Sequence, residues 1–326
     1  MLPDALSGDL CSLHEGVDRA CLAVRIVLNS AGKRLHHEFH RGLMRSPASL
    51  SYEQAQAAAD GTYDDATEPL AGPIADLFAA YASATKARNE RQPLNLDLPE
   101  RKIVLSDHGQ VTSVAFRDRF DAHKLVEEFM VMANVCAAET LEQKRRPFLY
   151  RVHEEPSPEK LEALREVADS AGLMLAKGQV LKTMHLNKLL DAAAGTEDAE
   201  VINLTVLRSM TQAYYGVDNF GHFGLNLQRY AHFTSPIRRY ADLIVHRALI
   251  TAHGWGDDGL TPDEIATLDK TATHISETER RSMLAERDTT DRYLAASLSD
   301  RVGNDFAGRI SGVTRFGVFV RLVQTG

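Results

Sequence analysis

The stretch that most constrains this chain runs from Gly221 to Leu249, GHFGLNLQRYAHFTSPIRRYADLIVHRAL. Ser235 stands directly before Pro236, a strong helix-start signal. Serine is a good N-cap, and proline at the first helical position gives up no hydrogen bond the helix needs. Ile237, Ala241, Ile244 and Ala248 then recur at the spacing of a helix with one buried face. The spacing predicts a helix that begins at Pro236 and lies against a core. Such a start aims unpaired backbone N–H groups and the positive dipole end outward, and Arg238 and Arg239 add charge there. The feature therefore reads either as a phosphate site or as an ordinary capped amphipathic helix. Between Arg229 and Arg247 four arginines stand against one aspartate, a local net of +3. The whole-chain charge of −8 argues against a protein coated in basic charge for nucleic acid, but it leaves room for a local basic channel.

Elsewhere the pattern is mixed. Residues 1–19 read as loop and turn. Cys21, Ala23 and Arg25 alternate with Leu22, Val24 and Ile26, and a turn at 29–33 leads to a second run, Leu35–Phe39, so a β-hairpin is expected. Ser51-Tyr-Glu-Gln54 has the form of a capping box opening a short helix that Gly61 ends. A longer helix is predicted from Pro73 to Arg91, with Ile74, Leu77, Phe78 and Tyr81 on one face, and a hairpin from Lys102–Leu105 and Val111–Phe116. Asp121 caps a strongly periodic helix, DAHKLVEEFMVMANVCAAETLEQKRR, whose stripe includes Leu125, Phe129, Met132, Cys136 and Leu141. Glu127 and Asn134 lie seven residues apart in it and share a face, where an acid is either solvated at the edge or held for a purpose. Ser157-Pro starts another helix to about Ala171. Residues 178–215 are mainly helical, with Leu204, Leu207 and Met210 on one face, and Thr261 to Leu298 is nearly all helix with an interruption near Thr271. DFAGRISGVTRFGVFVRL, at 305–322, reads as two strands of a small β-barrel, which needs about five. The fold class expected is α+β.

Composition adds exclusions. With 44% hydrophobic and 25% charged residues the chain is ordinary for a globular protein, and its length allows two domains. No run of about 18 apolar residues suggests a membrane span, and the N-terminus lacks a signal-peptide pattern. Cys11, Cys21 and Cys136 show no metal spacing, and a reduced, cytoplasmic setting fits them. There is no Walker loop, dinucleotide fingerprint or zinc pattern. His222, His232 and His246 read as structural histidines in preference to metal ligands.

Taken together, HFGLNLQRYAHFTSPIRRYADLIVHRAL resembles the signature segment of the ribonuclease II/ribonuclease R family, on the ribonuclease R side. Other segments agree in order: LPDALSGDLCSLHEGVDRACLAV, LSYEQAQAAADG, LVEEFMVMANVCAAETL, FLYRVHEEPSPEKLEAL, ISETERRSMLAERD and the final DFAGRISGVTRFGVFVRL. The resemblance implies residues 1–300 as an RNB exoribonuclease domain lacking its N-terminal part, and 301–326 as the start of an oligonucleotide-binding (OB) barrel. It implies a processive 3′→5′ exoribonuclease that degrades single-stranded RNA to nucleoside 5′-monophosphates with Mg²⁺. Carried over, Arg238 contacts and polarises a phosphate near the scissile bond, and Arg239 either orients Asp242 or binds an adjacent phosphate. Ser235, Phe316 and Phe319 belong to the RNA-binding surface. Tyr52 and one of Glu127 or Glu128 match contacts to the terminal nucleotide, Glu127 being favoured for its shared face with Asn134. A carboxylate accepting from a ribose 2′-hydroxyl separates RNA from DNA.

Two departures accompany the likeness. The family's metal-binding aspartate cluster has no counterpart here: Asp64-Asp65 and Asp257-Asp258 are isolated pairs, so no metal ligands are assigned and the Mg²⁺ site is expected to be missing from this chain. Where the family often has an aromatic that stacks on the last base, this chain reads RQPLNLDLPE, with Leu96 at the corresponding place. The expectation is an internal fragment of a larger enzyme, monomeric, with no membrane partner and no hydrolytic activity alone. The competing readings are a noncatalytic RNA-binding remnant and a helical scaffold protein.

Overall fold

The computed structural model describes residues 2–96, 101–116, 118–178 and 180–322. After a π-helical turn at Ala5–Leu10 the chain forms a long antiparallel hairpin, β1 (Asp18–Leu28) and β2 (Arg34–Arg45). Its turn is built by Asn29, whose side-chain Oδ1 accepts from the amides of Ala31 and Lys33. Gly32 completes it with φ +77°, and a Cβ there would lie 1.9 Å from the Ser83 carbonyl oxygen. The turn thus seats directly against the backbone at Ser83. Leu22, Val24, Ile26 and Phe39 face inward, as the alternation predicts.

Helix α1 (Tyr52–Ala59) opens with the expected capping box: Ser51 Oγ accepts from the Gln54 amide at 3.2 Å and Gln54 Oε1 from the Ser51 amide at 3.0 Å. Helix α2 runs from Ala71 to Arg91 and ends at Gln92 in the left-handed conformation. Ile74 is buried, but Leu77 is 47% exposed, so the apolar face of α2 is narrower than the periodicity suggests. The hairpin β3 (Arg101–Leu105) and β4 (Val111–Phe116) follows.

Helix α3 (Asp121–Gln143) is the central element, with eleven buried residues from Ala122 to Leu141. Phe120, not Asp121, holds the cap position; Asp121 is the first helical residue. Two three-residue strands that periodicity could not flag, β5 (Tyr150–Val152) and β6 (Tyr214–Gly216), pair antiparallel although residues 153–213 lie between them. Between them lie α4 (Pro158–Ser170), capped by Ser157, α5 (Thr183–Ala193) and α6 (Ala199–Ser209). These three share a separate core of leucines with Ile202 and Val206, and Leu207 faces outward.

The helix expected from Pro236 begins later. Ser235 to Arg239 form a turn, and α7 spans Tyr240–His253 with Arg239 at its cap. Ser235 does not cap with its side chain; its carbonyl oxygen accepts from the amides of Arg238 and Arg239 at 3.3 and 3.1 Å. Short α8 (Pro262–Ala266) and long α9 (Leu268–Leu298) follow, with the break at Thr267 rather than Thr271. The final hairpin is β7 (Gly308–Thr314) with β8 (Gly317–Leu322), a two-stranded sheet among the described residues; positions 323–326 lie outside them.

The main core joins α3, α7, Phe39 of β2, Phe148, β5 and the segment carrying Ala231 and Phe233. A third cluster packs Ala241 and Ile244 of α7 against Leu149, Tyr215, Leu268 and Ala272. Helix α7 is therefore buried on two sides, which is why it is apolar over most of its surface. No described helix is long and apolar enough to cross a membrane. The architecture is α+β, with helices around small antiparallel sheets.

Candidate nucleic-acid interface

The segment from Gly221 to Arg239 has little secondary structure of its own, so its backbone is held by side chains. His153 Nδ1 accepts from the Gly224 amide at 3.1 Å, which leaves Nε2 to donate to the Thr211 carbonyl oxygen at 3.0 Å. A Cβ on Gly224 would lie 2.9 Å from that imidazole, so glycine is required by contact there. Asn134, buried in the middle of α3, donates from Nδ2 to the Tyr230 hydroxyl at 2.9 Å and accepts at Oδ1 from the Phe233 amide at 2.8 Å. The Phe233 carbonyl oxygen pairs with His246 Nε2 at 2.7 Å. Asp242 is 0% exposed, and its Oδ1 accepts from the Ser235 amide at 2.7 Å. Asn134, His246 and Asp242 together bring the turn Ser235–Arg239 to a defined place.

Of the two roles open to Arg239, its guanidinium takes the first. Nε donates to Asp242 Oδ2 at 2.8 Å and Nη2 to Oδ1 at 2.7 Å. A buried carboxylate needs such a partner. Arg238 is exposed, and among the described residues its guanidinium has no hydrogen-bond or ion-pair partner. Behind the turn lies His232, whose Nδ1 pairs with the Tyr215 hydroxyl at 2.9 Å. Burial, then Arg239, Arg151 and Arg238, push the His232 imidazole down to about 2. Burial and His153 push His222 down to about 3. These histidines are neutral, so the positive charge here is carried by arginine alone. Arg151 is spent on Glu279 of α9, with its guanidinium 4.7 Å from the centroid of the Tyr215 ring. Arg238 remains the uncommitted cation of this turn.

Three of the other predicted residues, Tyr52, Glu127 and Glu128, gather near the start of α3. Glu127 is exposed and paired with Arg119 at 2.6 Å. Glu128 is only 5% exposed, and faces Arg91 at 3.3 Å and Arg88 at 3.7 Å. Burial raises its carboxyl above the usual range against the pull of Arg91 and Arg88. The face shared by Glu127 and Asn134 is covered at Asn134 by the Tyr230–Phe233 segment and open at Glu127, so heptad spacing does not equate their environments. Arg88 and Arg91 carry no sequence motif beyond their i, i+3 spacing in the last turn of α2, so nothing in the sequence marks them as partners of Glu128. Glu128 and Asn134 are six residues apart on one helix, about 9 Å along its axis. Tyr52, at the first position of α1, is 38% exposed and stacks on His123. Phe316 and Phe319 are 84% and 59% exposed on the terminal hairpin, with the Arg315 guanidinium 4.6 Å from the centroid of the Phe316 ring. Leu96 packs instead against the α4–α6 core, and positions 97–100 of the adjoining stretch lie outside the described residues.

The described residues do not fit a divalent-cation site. Among the described residues no three His, Cys, Asp or Glu side chains converge. Asp64 is engaged by Gln54, Thr67 and the Ala66 amide, and Asp258 by Arg41 at 2.7 and 2.9 Å.

The fold and site define an α+β protein that presents one exposed arginine on a turn held by buried polar groups, and comparison with known proteins gives the family. The RNB domain matches residues 1–253, and the chain belongs to that family. It is 38% identical to ribonuclease R of Escherichia coli (strain K12), over 99% of this chain and 41% of the relative. It therefore spans about two-fifths of that protein's length. Among solved structures it is similar to Mycoplasma genitalium RNase R in complex with ribose methylated single-stranded RNA. That match has a TM-score of 0.92 and 28% identity, covering 99% of this chain and 51% of that one. A yeast pseudonuclease shares the fold at TM-score 0.65 and 22% identity, over 84% of this chain and 33% of the other.

Proposed function

We propose that this chain forms the RNA-gripping part of a processive 3′→5′ exoribonuclease catalytic domain acting on single-stranded RNA. The observation that carries the reading is Arg238: exposed, without a protein partner among the described residues, on a turn clamped by Asn134, His246 and Asp242. A guanidinium presented this way suits a phosphodiester. Family membership and the ribonuclease R relatives, one solved with RNA, support the assignment.

In this reading Arg238 holds and polarises a phosphate, with the Ser235 turn beside it. Arg239 acts through Asp242 to hold the turn. Tyr52 and the Glu127–Glu128 pair meet the terminal nucleotide, where a carboxylate accepts from the ribose 2′-hydroxyl. Phe316 and Phe319 offer ring faces to bases further along the strand. Residues 301–326 serve as the first part of an OB-type RNA-binding domain. Hydrolysis in the family relies on Mg²⁺, which neutralises charge on the phosphate when bound. The acids described here do not assemble its site, so no bond-breaking step is assigned to them. In this reading the protein works as a monomer, in the cytoplasm.

The commitments of Asp64 and Asp258 favour a second reading, that this chain by itself binds RNA without cleaving it. The test is fluorescence anisotropy with a labelled single-stranded oligoribonucleotide, alongside gel analysis of the same RNA with Mg²⁺. Salt-sensitive binding that Arg238→Ala weakens for every sequence, without degradation, is the expected result. Robust Mg²⁺-dependent degradation overturns the second reading, and absence of binding overturns both.

A further inference from the structure

We infer that His123 is the positioning residue for Tyr52, holding its phenol ring ready for the terminal nucleotide; the inference rests on the reading that Tyr52 contacts RNA. The two helices α1 and α3 meet at their N-terminal ends. There the Tyr52 ring lies on the His123 imidazole, with centroids 3.9 Å apart and planes 18° from parallel. The Phe120 ring lies 5.6 Å from the same imidazole at 23°, so three rings run nearly parallel. The imidazole is itself anchored. Its Nδ1 accepts from the Phe120 amide at 3.2 Å, which closes the first turn of α3 and leaves the proton on Nε2.

The backbones beneath are joined as well. Gln56 Oε1 of α1 accepts from the Ala122 amide of α3 at 3.1 Å, and the Ser51–Gln54 capping box fixes the residue before Tyr52. Among the described residues the Tyr52 hydroxyl has no hydrogen bond. Nothing polar orients this ring, so its stack on His123 does. A phenol that is 38% exposed and backed by an imidazole keeps part of its surface open to solvent. A sugar or base can use it there without first ordering it, which is the gain from preorganisation.

Two variants separate the stack from the helix cap. His123→Ala removes both, whereas His123→Phe keeps an aromatic ring under Tyr52 and loses only the Nδ1 acceptor. The experiment incorporates 3-fluorotyrosine into the full chain and follows the Tyr52 ¹⁹F resonance, assigned by its loss in Tyr52→Phe. Affinity for a labelled single-stranded oligoribonucleotide is measured in parallel. His123→Ala should shift and narrow the Tyr52 resonance without RNA and weaken binding about 3- to 10-fold, the range for an aromatic pair. It should cost nothing further in a Tyr52→Ala background, and His123→Phe should restore both readouts. An unchanged resonance in His123→Ala, or a loss that adds in full to that of Tyr52→Ala, overturns the inference. If the resonance responds but Tyr52→Ala leaves RNA affinity intact, the positioning stands and the RNA contact of Tyr52 falls.

Discussion

Asp242 and Arg239 form an enclosed fork three residues apart at the start of α7: both carboxylate oxygens accept from the guanidinium, and Oδ1 also takes the Ser235 amide. The pair orders the Ser235–Arg239 turn before any ligand arrives. It also explains why two adjacent arginines differ so sharply, one spent inside and one left facing out.

Replacing Asp242 with Asn keeps the shape and removes the charge. Arg239 is then left partly buried without its counter-charge, and stability should fall by about 3 kcal/mol in urea unfolding. RNA affinity should fall with it, because the Arg238 turn loses its anchor. A change within about 0.5 kcal/mol, the scatter of ordinary surface substitutions, would mean that the fork does not hold the turn.

Asn134→Ala removes the acceptor for the buried Phe233 amide and the donor to Tyr230. The expected loss is about 2 kcal/mol, since buried polar groups are left unpaired. Thermal melting checks the stability, and amide exchange at Phe233 should accelerate relative to the α4–α6 core.

Stability should depend on pH through the buried histidines. His222 and His232 titrate at about 3 and about 2, and burial also lowers His153 and His246. The unfolded chain binds protons near pH 6.5 while the folded chain does not. Stability is therefore intact above about pH 6.5 and falls as pH drops toward 3, by up to about 1.4 kcal/mol per pH unit for each such histidine. Urea melts between pH 7.5 and 5 should show this slope, and His232→Phe should flatten it.

Gly32→Ala should be strongly destabilising, by about 2 kcal/mol or more. Its φ is +77°, and the added Cβ would lie 1.9 Å from a backbone oxygen of Ser83 that cannot rotate away. Gly109, with φ +74° and open space around it, should cost less on the same change. Equal losses at the two sites would show that backbone conformation alone, not the approach to α2, sets the cost.

Much of the local structure is legible in the chain itself. The Ser51–Gln54 box, the Ser157 cap and the hairpin through Asn29 depend on neighbours within a few residues, and sequence shows such neighbours directly. The misreadings share a cause. Ser235-Pro236 carries the chemistry of a helix start, yet Asp242 captures the Ser235 amide and Arg239, and α7 begins at Tyr240. Strands β5 and β6 are too short for periodicity and exist because distant residues pair. Glu127 and Glu128 are adjacent acids that only packing separates, one paired with Arg119 at the surface and the other enclosed beside Arg88 and Arg91.

By itself the sequence determined the α+β character and the family, and it singled out Arg238 as a candidate, because periodicity, caps and a long matching segment are local properties. Tertiary structure decided which groups are free to act. Burial requires each enclosed charge to find a partner, so Asp242 took Arg239 and Glu128 faced Arg88 and Arg91. Arg238, outside that constraint, keeps its guanidinium exposed.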